Sequence, residues 1–309
     1  MLLRLLKQLL QRLASIAETE DFADRGVMAH TAVMALVRIR PLPVLVCAGL
    51  ACSALQSQTP KPAPAVSPDV VKMLNAQVGW DDALPGEHNP TGLHMNFVKI
   101  DSEAFMQGKA VGHFVRYRTF VPGAAQEPVY ALAQWKIGSQ IQVAYNQVYV
   151  NAKGLLMLHR PRPDQQDKDA VDPADELDLS LQTAAGEPVR YALTSPENTL
   201  IVPGTVVPNP IEKKDGACRL EARLAMPDAE GVVIYADGLE PSTDVPFQAI
   251  SEGESHPGSF HTNVHGHAAT VNLPYVKGKS AGTLKVSVAA KGCSVSIEIP
   301  WGKGSYKPL

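Results

Sequence analysis

The chain has 309 residues, 45% of them hydrophobic and 19% charged, with a formal net charge of −3. That length suggests two domains once an export segment is set aside, and the near-neutral balance excludes the basic surface of a nucleic-acid-binding protein. With 25 prolines and 23 glycines, the composition suits a turn-rich β protein better than a cytosolic enzyme.

In residues 1–33, Leu2, Leu3, Leu5, Leu6, Leu9, Leu10 and Leu13 alternate with Arg4, Lys7 and Arg12, the pattern of a basic amphipathic helix. It reads as a membrane-surface helix or, more simply, as an extension ahead of a true start at Met28 or Met34. Residues 34–55 have the layout of a secretory signal. Arg38 and Arg40 precede an apolar core over residues 42–55, too short to span a bilayer comfortably. Ala51, Ser53 and Ala54 offer cleavage positions. Cys52 follows Gly49-Leu50-Ala51, which is similar to a bacterial lipobox but has Gly49 in place of the usual branched residue and Leu50 in place of a small one. Signal peptide, lipoprotein signal with lipidation at Cys52, and uncleaved anchor all stay open. Residues 56–68 carry Pro60, Pro62, Pro64 and Pro68, an extended tether.

Residues 69–207 are expected to form a first β-sandwich. Asp69 caps a short helical turn over 70–76, and Trp80 opens a polar loop running to Thr91. Strands are predicted at 97–100, 111–121, 129–135, 141–150, 154–158, 177–181, 189–193 and 199–206. Pro122-Gly123, Gly138-Ser139 and Ala152-Lys153-Gly154 supply turn chemistry between them. Residues 208–216, with Pro208, Pro210 and a run of charges, read as the interdomain linker. Residues 303–309 form a tail.

Residues 217–302 are expected to form the second sandwich. Cys218, Leu220, Ala222 and Leu224 share one strand face, and Arg219, Glu221 and Arg223 the other, which predicts one buried face and one wet face. Leu284, Val286 and Val288 repeat the pattern, as do Cys293, Val295, Ile297 and Ile299. Strands at 232–236, 245–250, 258–262 and 267–273 bring the count to about seven. Both Cys218 and Cys293 fall on apolar faces, where a disulfide between facing strands can form. An even pair of cysteines in the folded part fits an oxidising compartment.

Gly238-Leu239-Glu240-Pro241 leading to Val245, then Ser251-Glu252-Gly253-Glu254, then residues 263–266, resemble the immunoglobulin-like domains of bacterial surface and envelope proteins. In those domains a Gly-hydrophobic-x-Pro opening precedes a strand, and a polar residue with Gly makes a later hairpin. The resemblance covers under a third of the chain and implies fold rather than activity. The fold class expected is thus all-β, two consecutive β-sandwich (Ig-like) domains behind an export segment and a Pro-rich tether.

His261, His265 and His267, with His256 nearby, are the candidate metal ligands, although His265 and Gly266 stand where a hairpin should turn and a polar turn explains them more simply. Asp164, Asp167, Asp169, Asp172, Asp175, Glu176 and Asp178 form an acidic run without the internal glycine of a calcium loop, so it is expected as a solvated loop guarding a sheet edge. Glu252 with Glu254, and Asp81 with Asp82, are the paired carboxylates. Neighbours in sequence rarely span the cleft of a glycosidase, so both are expected as surface charges. Gly278-Lys279-Ser280 lacks the upstream glycine and the following helix of a phosphate loop. Trp80, Tyr145 and Tyr149 are candidates for an aromatic, sugar-stacking surface, whereas Trp301 is expected to close the sandwich end.

These residues favour an exported, non-catalytic binding or structural protein of the cell envelope, with no cofactor and no nucleic acid. Its partner would be an envelope protein or glycan, and membrane attachment would run only through the N-terminal segment or a lipid anchor. The alternatives are an extracytoplasmic glycan-active or metal-assisted hydrolase, with few histidines (His113, His159) in the candidate stretch 95–206, or an assembly subunit that pairs through a sheet edge.

Overall fold

A computed structural model describes residues 68–82, 85–107, 110–162 and 174–307. The expectations for residues 1–67, Cys52 among them, and for Asp164, Asp167, Asp169 and Asp172 lie outside the described residues. Among the described residues the architecture is all-β with one α-helix, α1 (Pro68–Asp81).

Eight strands build the first sandwich: β1 (Asn96–Gln107), β2 (Ala110–Phe120), β3 (Tyr130–Trp135), β4 (Gln142–Val150), β5 (Leu156–Met157), β6 (Asp178–Leu181), β7 (Val189–Thr194) and β8 (Ile201–Val206). They form a five-stranded sheet in the order β5-β4-β3-β7-β8 and a three-stranded sheet in the order β1-β2-β6. Period-2 alternation sends Val115, Tyr117, Leu179 and Leu181 from the smaller sheet onto Leu132, Val148, Tyr191 and Leu193 of the larger one. The turn after β4 needs its glycine. Gly154 has φ +83°, and a Cβ there would lie 2.6 Å from the Val121 carbonyl oxygen.

The second sandwich holds β9 (Ile211–Asp215), β10 (Cys218–Leu224), β11 (Val232–Asp237), β12 (Asp244–Ser251), β13 (Glu254–His261), β14 (Ala268–Asn272), β15 (Ala281–Ala290) and β16 (Cys293–Gly302). Its sheets run β14-β11-β10-β9 and β13-β12-β15-β16. The chain changes sheet after β11, β13 and β14. Leu220, Ala222 and Ile234 of one sheet pack on Val286, Val295 and Ile299 of the other. Cys218 and Cys293 form a disulfide with Cα atoms 6.0 Å apart, tying β10 to β16 across the core. Trp301 is buried at the sandwich end, where its Nε1–H donates to Ser251 Oγ at 3.0 Å.

Five expectations change. Asp81, expected as a surface charge, has a side chain with no exposure, because arginines and donors reach it from both sandwiches. The helix is 14 residues long and takes in Trp80 and Asp81, because Leu74 and Val78, one turn apart, find an apolar surface to cover. The stretch expected as a linker contains β9, which pairs with β10 from Cys218↔Asp215 to Ala222↔Ile211. Glu176 is not a solvated loop charge: its carboxylate is buried and accepts a 2.7 Å hydrogen bond from Arg118 Nε. The charged face of β10 is not wet throughout either, since Glu221 is buried between Arg219 and Arg223, and Arg223 reaches Asp81 of α1.

Candidate functional site

The joint between the two sandwiches is built from α1 outward. Leu74 and Val78 pack on Ala225, Val233 and Tyr235 of the second sandwich. Gln77 Nε2 donates to the Ala225 carbonyl at 3.3 Å. Trp80 turns the other way, meeting the Trp135 ring edge-on at 4.9 Å beside Ala133, Ile141, Ala192 and Ile201 of the five-stranded sheet. The helix is therefore a wedge with one apolar face for each sandwich.

Asp81 closes the wedge. Its side chain has 0% exposure, and that of Arg190 has 3%. Arg190 Nε donates to Asp81 Oδ1 at 2.8 Å and Arg190 Nη2 to Oδ2 at 3.0 Å, a bidentate pair. Thr205 Oγ1 donates to Oδ1 at 2.7 Å and the Tyr235 hydroxyl to Oδ2 at 3.3 Å. Arg223 Nη1 stands 3.5 Å from Oδ2. Arg190 and Thr205 belong to the first sandwich, Arg223 and Tyr235 to the second. Burial pushes the Asp81 carboxyl up, but the Arg190 charge and hydrogen bonds, Arg223 and Thr205 outweigh it and hold it below the usual carboxylate range.

From Arg223 the network runs across the covered face of β10. The guanidinium lies 4.1 Å from the Tyr235 ring centre, and its Nε donates to Glu221 Oε1 at 2.7 Å. Arg219 donates to Glu212, Glu221 and Asp237. His267 pairs with Asp237, Nδ1 to Oδ1 at 2.6 Å, while its Nε2 lies 3.8 Å from Asp82 Oδ1. The hydrogen bond to Asp237 raises the His267 pKa against its partial burial. The same bond lowers that of Asp237. Burial, only partly offset by His267, raises that of Asp82. Apart from His267, the ion pairs that Asp81, Glu212, Glu221 and Asp237 make among the described residues are with Arg190, Arg219 and Arg223, and with Asp82 the carboxylates outnumber these arginines, so the cluster has room for a protonated imidazole. Chemically this arrangement clamps: Asp81, Glu212 and Asp237 are each engaged by a cation from another element, Glu221 is held by Arg219 and Arg223 of its own strand, and the end of the helix is held from both sides.

A second strap comes from the tail. The Tyr306 hydroxyl donates to Glu187 Oε1 at 2.5 Å, and Glu187 Oε2 accepts from the Ala184 backbone N–H at 3.0 Å. Ser305 Oγ donates to the Asp228 carbonyl at 2.9 Å. Burial and Glu187 together push the Tyr306 hydroxyl pKa up.

The candidate ligand histidines are separated by their partners. His261 Nδ1 pairs across the strands with Asp244 at 2.9 Å, His267 joins the joint, and His265 lies in the turn, where its backbone N–H donates to Asn263 Oδ1. Among the described residues no three His, Cys, Asp or Glu side chains group as a metal site. The candidate aromatic surface is divided as well. Trp80 sits in the joint, Tyr145 packs on the first core, and Tyr149 packs on Leu155 and Met157 under Arg160. Glu252 accepts from the Thr283 backbone N–H at 3.0 Å, and Glu254 faces His256. Beside the disulfide, an open depression of about 300 Å³ is lined by Cys218, Gly238, Leu239, Glu240, Ala290 and Lys291.

Sequence reasoning missed Arg190, Thr205, Glu221, Arg223, Tyr235 and Asp237 as members of one site. Arg190 alone carried a signal, a charge inside an otherwise apolar strand. Compared with known proteins, the chain matches no family model and no curated protein.

Proposed function

We propose that this is an exported, non-catalytic binding or structural protein of the cell envelope, which presents loops or a sheet face of two β-sandwiches held in one orientation. One observation carries the reading: the buried Asp81 carboxylate is gripped by Arg190 from one sandwich and by Arg223 and Tyr235 from the other. Domains joined by modest polar interfaces move against each other by default; a shared buried carboxylate opposes that motion and makes one continuous display surface. The disulfide suits an oxidising, extracytoplasmic compartment. The sheet changes after β11, β13 and β14 are Greek-key connections of the kind found in immunoglobulin-like sandwiches, which supports that resemblance. The partner is an envelope protein or glycan, with membrane attachment through the N-terminal segment or a lipid on Cys52.

The edges favour a binder over an assembly subunit. β1 carries Lys99, Asp101, Glu103 and a bulge between Lys99 and Asp101. β13 carries Pro257. Charges, proline and bulges all discourage a further strand.

Intact mass of the native protein, combined with binding to isolated envelope, tests the reading. A chain starting at or just after Cys52, heavier by about 2 Da after reduction of one disulfide, with saturable retention on the envelope, is the expected result. A mass counted from Met1 with free thiols, or turnover of an envelope glycan, overturns it.

A further inference from the structure

His267 occupies a distinctive place in the joint. It precedes β14 on the second sandwich, and its ring reaches a carboxylate on each side. Asp237, at the end of β11, is 2.6 Å from Nδ1, and Asp82, just past the end of α1, is 3.8 Å from Nε2. The ring stacks on that of Tyr235, 30° between planes and 6.0 Å between centres. Its side chain is 31% exposed, enough for protons to exchange with solvent.

We propose that His267 is a proton-operated latch that fastens the end of α1 to the second sandwich: the imidazolium holds Asp237 and Asp82 together, and the neutral ring lets Asp82 go. Only the doubly protonated ring has an N–H for each acid. When the ring loses a proton, Nδ1–H stays with Asp237, the closer partner, and the Nε2 lone pair turns toward the Asp82 carboxylate, so an attraction becomes a repulsion. The surrounding charges do not supply a substitute. Arg223 and Arg190 are committed to Asp81 and Glu221, and Arg219 to Glu212, Glu221 and Asp237. Facing His267 are Asp82 from just past the end of α1, Tyr235 and Asp237 from β11, and from β10 Arg223, the one of these that disfavours its proton. The upward shift of the His267 pKa agrees with this geometry.

The latch is independent of the proposed envelope role. It makes the seating of α1, and with it the grip on Asp81, tighter in mildly acidic than in mildly alkaline solution. A loosened α1 uncovers Leu74, Val78 and the apolar patch of Ala225, Val233 and Tyr235.

Hydrogen exchange of the α1 amides in the full chain, corrected for intrinsic chemical exchange, tests this at about pH 6 and about pH 8, on either side of an ordinary histidine pKa. In the wild type, α1 protection should fall roughly two- to fivefold at the higher pH, the scale of a partly exposed ion pair. His267→Gln should show the low protection at both pH values. Asp82→Asn should lose most of the pH dependence while keeping the Asp237 pair. Wild-type protection that does not change with pH, or a full pH dependence surviving in His267→Gln, overturns the latch. Should His267→Gln fail to fold, seen as loss of β15 and β16 protection, Asp82→Asn decides: an undiminished pH dependence there overturns it equally.

Discussion

Arg190 and Asp81, 109 residues apart in the chain, meet through two parallel hydrogen bonds of 2.8 and 3.0 Å inside the joint between the sandwiches. A carboxylate with no exposure can stay ionised there only because cations and donors surround it. The joint is therefore sensitive to loss of either partner.

Asp81→Ala leaves Arg190 and Arg223 buried without their shared anion. The expected loss is about 3–5 kcal/mol, the usual cost of breaking a buried pair from one side, read by urea unfolding. The double variant Asp81→Leu with Arg190→Leu should lose clearly less than the sum of its single changes, because it leaves fewer unpaired charges. Additive losses would show that the pair is not coupled.

Stability should peak in mildly acidic solution, with opposite signs on the two flanks. The carboxyls of Asp81 and Asp237 are held low, so their contribution is present above about pH 4 and lost as pH falls through their folded values. The His267 pKa is raised, so its contribution is present below about pH 6.5 and lost as pH rises through the folded value. Thermal unfolding across this range measures both. His267→Gln should flatten the alkaline flank, and Asp81→Asn the acid flank.

The disulfide closes a loop with a sequence separation of 75. Replacing both Cys218 and Cys293 by Ser should lower stability by roughly 2–4 kcal/mol, chiefly by freeing the unfolded chain. Thermal unfolding with and without reductant checks it: reduced wild type should match the variant, and a variant as stable as the oxidised wild type contradicts the role of the crosslink.

Trp301 fills the end of the second core and shares Ser251 with the Pro274 carbonyl, which accepts from Ser251 Oγ at 2.7 Å. Trp301→Ala should cost about 3–5 kcal/mol through the cavity it leaves. Ser251→Ala, which keeps the volume but strands the indole N–H, should cost about 1–3 kcal/mol. Chemical denaturation ranks the two, and the reverse order would mean that the hydrogen bond outweighs the packing.

Much of the fold was legible because strands announce themselves by alternation. Cys218 to Leu224 and Cys293 to Ile299 each place one apolar residue in two, and the buried positions of β10 and β16 include all of those residues. The short α1 was underestimated because its two apolar faces serve two different surfaces, so no single helical stripe stands out. β9 was hidden because Glu212, Lys213, Lys214 and Asp215 look like a linker until β10 is seen to lie beside them, with Arg219 donating to Glu212 at 2.7 Å.

By itself the sequence determined the all-β class, most of the strand positions, and the inward parity that lets Cys218 meet Cys293, since each depends on residues close together or on a face of one strand. Only the tertiary structure decided that the charged face of β10 is a joint rather than a surface. Alternation reports that two faces of a strand differ in chemistry; it does not report what covers the polar one. Glu221, Arg223 and Asp81 are buried together because charges from α1 and both sandwiches neutralise one another there, a balance that exists only once distant segments are in contact.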